Sequence, residues 1–260
     1  MLSVLSERRN RPTLRRCIVC LVAACFAGCS APPPLPPPPE GAPPGFPSTD
    51  LSRAASASAT VLSIDSSASL VKALVYRGGA LSRLGHDHVV AARNLHGLVV
   101  VGEGDANERT VAAEFYAALA GMSIDEPELR QAAGFESEPS DEDRRGTRRN
   151  MLKTFAAGEH PFVQLSLNAT IRGDAFRDER SIPADVAITL AGASQRYTID
   201  AAVTGGEGGL VASGRFSIRH GDFGVEPFSV LGGALAVQDR IDVEFEVRAQ
   251  PDTPGARSAH

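Results

Sequence analysis

The stretch from residue 214 to residue 225 reads GRFSIRHGDFGV, and its first half alternates between two kinds of residue. Phe216 and Ile218 project to one side of an extended chain, while Arg215 and Ser217 project to the other. A period of two is that of a β-strand with one buried face. Glycines and an aspartate follow, as expected where a strand bends into a loop. The stretch therefore predicts a half-buried strand that ends in a turn.

The same alternation recurs through residues 61–249. It is clearest in residues 240–249, where Val243 and Phe245 face one way and Glu244 faces the other. Strands with one polar face belong to antiparallel sheets or barrels, and closing the sheet removes its exposed edges. We therefore predict an all-β fold, a lipocalin-like antiparallel barrel of about eight strands. The candidate strands are Val61–Asp65, Leu70–Tyr76, His88–Val101, Thr110–Ala118, Phe162–Ile171, Ala184–Leu190, Arg196–Val203, Leu210–Arg219 and Arg240–Ala249.

Residues 126–157 break the strand pattern. They are charged, and their apolar residues recur at helical spacing. These residues are Leu129, Ala132 and Ala133 in the first part and Met151, Leu152 and Phe155 in the second. A polar break separates the two parts, and Ser140 or the aspartate after it is a suitable cap for a second helix. We predict a helical insertion on the outside or the rim of the barrel.

The N-terminus has the organisation of a bacterial secretion signal. Five arginines precede the short apolar run Ile18–Ala27, which is about half the length needed to span a bilayer. Small residues then lead to Cys29, as in the lipobox of lipoproteins, where the cysteine is acylated and becomes the mature N-terminus. Cys25 also fits that pattern, after a shorter apolar run. We predict a signal peptide over residues 1–28 and lipid attachment at Cys29.

The remaining boundaries follow from composition. All four cysteines lie within the first 29 residues, so the folded part has neither disulfides nor thiolate ligands. Residues 29–60 are rich in Pro, Ala and Ser and predict an extended tether. The barrel domain is expected at 61–250 and a disordered tail at 251–260.

Charge and motifs exclude several function classes. The whole chain carries −5, and residues 1–28 carry +4, so the rest carries −9. Such a protein is not attracted to nucleic acid. Nucleophile-elbow, phosphate-loop and dinucleotide-binding motifs are also missing from the sequence. We therefore expect no enzymatic activity and no required cofactor.

The order of several short motifs resembles the YceI-like family. The stretch 214–224 is similar to its C-terminal signature strand, with one residue more before Asp222. Residues 63–65 (SID), 158–162 (GEHPF) and 239–241 (DRI) resemble its other landmarks. The resemblance implies a barrel that binds an isoprenoid lipid, including quinones, in the periplasm. Here the predicted acyl anchor implies attachment on the periplasmic side of the envelope and favours the outer membrane over the inner one. No protein partner is indicated.

An apolar ligand is also consistent with the residues themselves. Small residues at presumed inward positions, namely Ala73, Ala169, Ala187, Ala212 and Gly214, leave space inside a barrel. The alternative is a barrel filled by its own side chains. The candidate ligand-binding residues of the interior are Val71, Ala73, Val75, Leu165, Leu167, Ala212, Phe216, Ile218, Val243 and Phe245.

His86 and His88 complete the candidate site. Two histidines two residues apart share one face of a strand and, with a further ligand, bind Zn²⁺. They can also contact the head group of a lipid or have a purely structural role. Three functions therefore remain open: a lipid carrier, a metal-dependent enzyme or quinone-linked redox accessory that uses these histidines, and a structural envelope protein.

The lipobox leads to a first prediction. The Cys29→Ala protein should leave the membrane fraction and lose the mass of its acyl chains, because the thiol that carries the lipid is gone. Cell fractionation and intact-mass spectrometry measure both effects. Unchanged mass and attachment would assign the anchor to Cys25 or to another segment.

Overall fold

The alternating stretches fold into strands of one antiparallel sheet. The computed structural model describes residues 35, 37–55, 59–103, 108–172, 181–206 and 208–251, nearly all of them in the unit that spans 36–260. The predicted signal peptide, Cys25, Cys29 and the tail after residue 251 lie outside the described residues. The strands are β1 (Thr60–Ile64), β2 (Leu70–Gly78), β3 (His88–Ala92), β4 (His96–Glu103), β5 (Glu108–Ala118), β6 (Ser123–Ile124), β7 (Phe162–Arg172), β8 (Ser181–Leu190), β9 (Ala193–Gly206), β10 (Gly209–Arg219), β11 (Ser229–Val230) and β12 (Leu235–Pro251).

Eight of these strands form a closed ring, as the sequence predicts. The order is β1, β4, β5, β7, β8, β9, β10 and β12, and β12 pairs again with β1. A sheet that closes on itself in this way is a barrel. Strands β2, β3 and β6 continue from β12, and the short β11 pairs with the start of β12.

The long strand β12 closes the ring by pairing with two neighbours on one side. Its middle pairs with β2, and its last residues pair with β1. Ser69 lies where one neighbour replaces the other, and its hydroxyl accepts a hydrogen bond of 2.9 Å from the backbone N–H of Arg248. Ser69 is almost fully buried, so this bond satisfies an amide that has no water to bind.

The single strand predicted over His88–Val101 is two strands, β3 and β4. They have different partners, because β3 pairs with β2 whereas β4 pairs with β1 and β5. The chain turns between them, where Leu95 is buried and the side-chain amide of Asn94 donates to the carbonyl of Ala118. Apolar residues on both sides of the turn concealed this break in the sequence.

The predicted insertion contains two helices, α2 (Pro127–Ala132) and α3 (Asp141–Thr154). Ser140 caps α3 as predicted: its hydroxyl accepts from the N–H of Asp143, whose carboxylate accepts from the N–H of Ser140. This reciprocal pair satisfies two amides that a helix start leaves without partners. The insertion connects β6 to β7, at the end of the ring where β5 ends and β7 begins.

Part of the expected tether packs against the barrel instead of extending away from it. Residues Thr49–Ala54 form the helix α1, in which Leu51 is buried. The Ser48 amide donates a 2.8 Å hydrogen bond to Glu114 on β5, and the ring of Phe46 meets Tyr116 edge-on at 4.9 Å. The Pro-, Ala- and Ser-rich composition concealed these few anchoring residues, whose partners lie on a distant strand.

The packing of Leu51 predicts a measurable contribution to stability. Leu51→Ala should lower the free energy of unfolding by about 2 kcal/mol, because it removes buried methyl groups. Leu84→Ala is the matched control, since Leu84 is 73% exposed and its truncation removes little packing. Urea unfolding measures both variants. Equal stabilities would mean that α1 rests on the barrel without stabilising it.

Candidate functional site

The inward faces of the strands enclose a cavity of about 380 Å³. On β12 the residues Ile241, Val243 and Phe245 line it, whereas Glu244 and Glu246 on the other face lie outside. The register is fixed, because a slip of one residue would turn the charged side chains inward. The wall is almost entirely aliphatic and aromatic, so the cavity suits an apolar molecule.

The structure places nearly all of the predicted interior residues on this wall. All ten apolar candidates named above line the cavity, and so does His88. Of the five small residues, Ala73, Ala169 and Ala212 also line it. Gly214 faces inward without leaving free space, because a Cβ atom there would lie 2.9 Å from the ring of Phe245. The prediction for Ala187 is wrong: it lies on the opposite face of β8 from Val186 and Ile188, which line the cavity.

A cluster of buried apolar residues lies at one end of the cavity. Leu62, Val111 and Ile171 belong to it and are buried against partly exposed apolar neighbours. They lie where β1 pairs with the end of β12 and where β5 pairs with the end of β7. Val111 and Ile171 also line the cavity, so the cluster forms its wall at this end of the barrel.

Helix α3 forms part of the wall toward the other end. Thr147, Met151 and Thr154 line the cavity together with Asn150 and with Phe155, which follows the helix. Their spacing of three, four and seven residues places them on one helical face. This is the rim position predicted for the insertion, but the polar residues of the face were not among the sequence candidates. The sequence of residues 141–155 predicts that these residues share one face of a helix, but it does not predict that the face lies against the cavity.

His88 is held by a buried ion pair at this end. Its Nδ1–H donates to the Asp125 carboxylate at 2.7 Å, and the Arg130 guanidinium donates to the other carboxylate oxygen at 2.7 Å. Asp125 and Arg130 are almost completely buried. Burial raises the pKa of Asp125, but the hydrogen bonds from His88, Val89 and Arg130 and the charge of the imidazole hold it below its usual value. The cluster therefore fixes the ring, with Nδ1 bonded and Nε2 without a hydrogen-bond partner among the described residues.

A second histidine, absent from the sequence candidates, has the same arrangement. His220 is buried, lines the cavity and donates from Nδ1 to the carbonyl of Asp239 at 3.0 Å. Its ring stacks on Phe155 with centroids 5.6 Å apart. Because a carbonyl only accepts, Nδ1 carries the proton, and Nε2 of the neutral ring is an acceptor. Burial raises the pKa of the Tyr197 hydroxyl, and the hydrogen bond that this hydroxyl donates to Asp222 in the opening motif raises it further.

His86 differs from His88, although the two are close in sequence. It precedes β3, does not line the cavity, and its Nδ1 lies 3.2 Å from the hydroxyl of Ser137. The two ring centroids are 6.3 Å apart. Within the described ranges, no group of three or more His, Cys, Asp or Glu side chains is arranged to hold a metal ion. Only His88 of this pair therefore belongs to the cavity.

Asp125 and Arg130 were not found from the sequence. A carboxylate and a guanidinium in a charged insertion are more often solvated, and nothing in their spacing indicates burial. Here Asp125 also binds β3 through its backbone, since its N–H donates to the carbonyl of Val89 at 2.8 Å. The strand that buries the pair is 36 residues away in the chain.

Comparisons with known proteins agree with this fold. The YceI-like domain family matches residues 64–249. The crystal structure of BcnA from Burkholderia cenocepacia is 13% identical, with a TM-score of 0.50 over 72% of this chain and 99% of BcnA. A YceI protein from Campylobacter jejuni is 15% identical, with a TM-score of 0.37 over 60% of this chain and 81% of its own. Among curated protein sequences, none matches this chain.

The buried ion pair predicts a dependence of stability on pH. Asp125→Asn should cost about 3–5 kcal/mol at neutral pH, because it leaves the Arg130 charge buried without its counter-ion. The pKa of Asp125 is lowered from 3.8, so the carboxylate stabilises the fold fully above about pH 4. That contribution is lost as the pH falls through the lowered native pKa. Urea unfolding of both proteins over a pH series measures the difference.

Asp141→Asn is the control for this experiment. Asp141 pairs with Arg144 on the surface, where its side chain is 81% exposed, so its removal should change stability little at any pH. A similar loss in both variants would show that the buried position of Asp125 adds nothing.

Proposed function

This chain belongs to the YceI-like family, and we propose that it is a non-catalytic binding protein of the bacterial envelope that holds an isoprenoid lipid or a quinone. The ligand occupies the barrel cavity. The observation that carries the proposal is the open volume of about 380 Å³ inside an apolar wall. Pockets that bind small molecules begin at about 300 Å³ and are mostly apolar.

Small side chains keep this volume open. Ala73, Ala169 and Ala212 line the cavity on three different strands, where larger residues would fill it. A structural protein gains stability from a filled core and loses it with each void. An isoprenoid chain recovers this free energy on binding, about 3 kcal/mol for each buried isoprene unit before the cost of ordering it.

The polar groups at the α3 end support a ligand with a polar head. His88 and His220 each have Nδ1 engaged, which leaves Nε2 available to a ligand. In its neutral form, the His220 ring accepts at Nε2 from the hydroxyl of an isoprenoid alcohol. Asn150, also on the wall, has an amide that donates to a quinone carbonyl. The apolar chain then lies deeper in the barrel.

The metal-dependent alternative has less support than the carrier. It requires His86 and His88 on one site, and only His88 lines the cavity. A buried dyad of His88 and Asp125 resembles a catalytic base, but Arg130 already neutralises the carboxylate. We therefore assign the dyad to positioning and to contact with the head group.

We also propose that Cys29 carries the lipid that anchors the protein on the periplasmic side of the envelope, at the outer membrane. No helix of the described part of the chain is long and apolar enough to cross a membrane. Residues 30–45 would separate an acyl group at Cys29 from Phe46, where the chain meets the barrel surface.

Mass spectrometry of an organic extract tests the proposal. Protein purified from its native host should release an isoprenoid or a quinone in near-stoichiometric amount. Ala212→Trp should lower this amount at least tenfold, because the indole occupies the space of the chain. The matched control is Ala202→Trp on β9. Ala202 pairs with Ser181 and Ser213 on the neighbouring strands, and it lies on the opposite face of β9 from Ala201, which lines the cavity.

Circular dichroism establishes that both variants fold. Wild-type protein that releases no lipid in repeated preparations would contradict the carrier function. Equal amounts of lipid in the two variants, whether retained or lost, would contradict the assignment of the cavity as the site.

A further inference from the structure

Four large apolar side chains are exposed on the described part of the barrel. All four lie in the two connecting segments, here called loops, that join β2 to β3 and β10 to β12. Leu84 and Leu231 are more than 70% exposed, and Leu81 and Val230 about 40%. We call these four residues the apolar tips. Isolated exposed leucines are ordinary, whereas a group of them on loop tips marks a surface that meets another apolar phase.

The two loops are held against each other. The N–H of Leu81 donates to the carbonyl of Ala234 at 2.7 Å. Gly79 has a φ of +83°, and a Cβ atom there would lie 2.4 Å from the same carbonyl oxygen, so this close approach requires glycine. A Cβ atom at Gly85 would lie 3.0 Å from the side chain of Leu235, so the two loops also approach each other there. The apolar tips are therefore fixed as one surface.

This surface lies at the rim of the cavity. The first loop joins β2 to β3 and leads to His88, which lines the cavity. The second loop begins at His220 and includes Phe228, both on the cavity wall. The carbonyl of Phe228 accepts from the N–H of Val237, another lining residue. A few residues of chain thus connect the apolar tips with the interior.

The charge beside the apolar tips matches a membrane surface. Arg83 lies between Leu81 and Leu84, is exposed, and forms no ion pair with any of the described residues. Leucines below the head groups with a cation at the level of the phosphates are the pattern of shallow membrane binding. A bilayer accommodates such protruding tips, while a protein partner would need a matching groove and a larger contact.

We propose that the apolar tips insert shallowly into a phospholipid bilayer and bring the rim of the cavity to the lipid. This inference rests on the proposed function, because an apolar cargo is what has to move between cavity and bilayer. The contact shortens the path of that cargo through water, where each exposed methylene adds to the barrier. Arg83 pairs with lipid phosphate.

Single-tryptophan quenching tests this proposal, because the chain contains no tryptophan of its own. Leu84→Trp and Leu231→Trp place the reporter on the apolar tips. Thr110→Trp is the control, exposed near the start of β5 at the opposite end of the barrel. The full chain, processed by its host, is mixed with vesicles of phosphatidylcholine and phosphatidylglycerol that carry bromine on their acyl chains.

The fluorescence emission of both tip reporters should shift to shorter wavelength and be largely quenched by the bromine. The emission of the control tryptophan should not change. The comparison is between positions in one protein, so an N-terminal anchor affects all three alike. Arg83→Ala in the Leu84→Trp protein should weaken quenching more with phosphatidylglycerol than without it. Equal quenching at both ends, or tip reporters that remain in water, would overturn the proposal. So would tips that become shielded only when another protein is added.

Extraction of the same preparations separates this inference from the function on which it rests. Bound isoprenoid without quenching at the tips would overturn the membrane contact and leave the carrier function standing. Quenching without bound isoprenoid would support the membrane contact and count against the carrier. Circular dichroism establishes that the reporter variants are folded.

Discussion

The closure of the sheet depends on the pairing of β12 with two neighbours on the same edge. Its middle bonds to β2, and its end bonds to β1, which turns a row of strands into a ring. At the change of partner, Ser69 and Asp65 complete the hydrogen bonds of Arg248. The cavity follows from this closure, because an open sheet would leave the same apolar residues facing water.

A second constraint holds the helical insertion against one end of the barrel. The backbone and carboxylate of Asp125 bind the edge of β3, and Arg130 ties the same carboxylate to α2. Arg148 of α3 donates to the carbonyl of Ala120, beside the start of the insertion. These buried and half-buried polar contacts position the insertion over the cavity where no ladder of strands extends. They also explain why polar residues reach an otherwise apolar wall.

The interior combines a buried apolar cluster with an open volume. Val111 and Ile171 belong to the cluster and also line the cavity, while the small side chains of Ala73 and Ala212 leave space in its wall. A fold that needed only stability would be packed throughout. The open volume, the two fixed imidazoles beside it and the exposed apolar loops at its rim all support the proposed carrier function.

The sequence alone predicted an antiparallel barrel, most of its inward residues and a cap of α3 at Ser140 or Asp141, because each follows from a local pattern. The period of two in the last strands assigns Phe216 and Val243 to the interior wherever the neighbouring strands lie. The tertiary structure decided what depends on distant partners: the break between β3 and β4, the packing of Leu51, and the burial of Asp125. His220 lines the cavity and His86 does not, and only the three-dimensional path of the chain decides this difference.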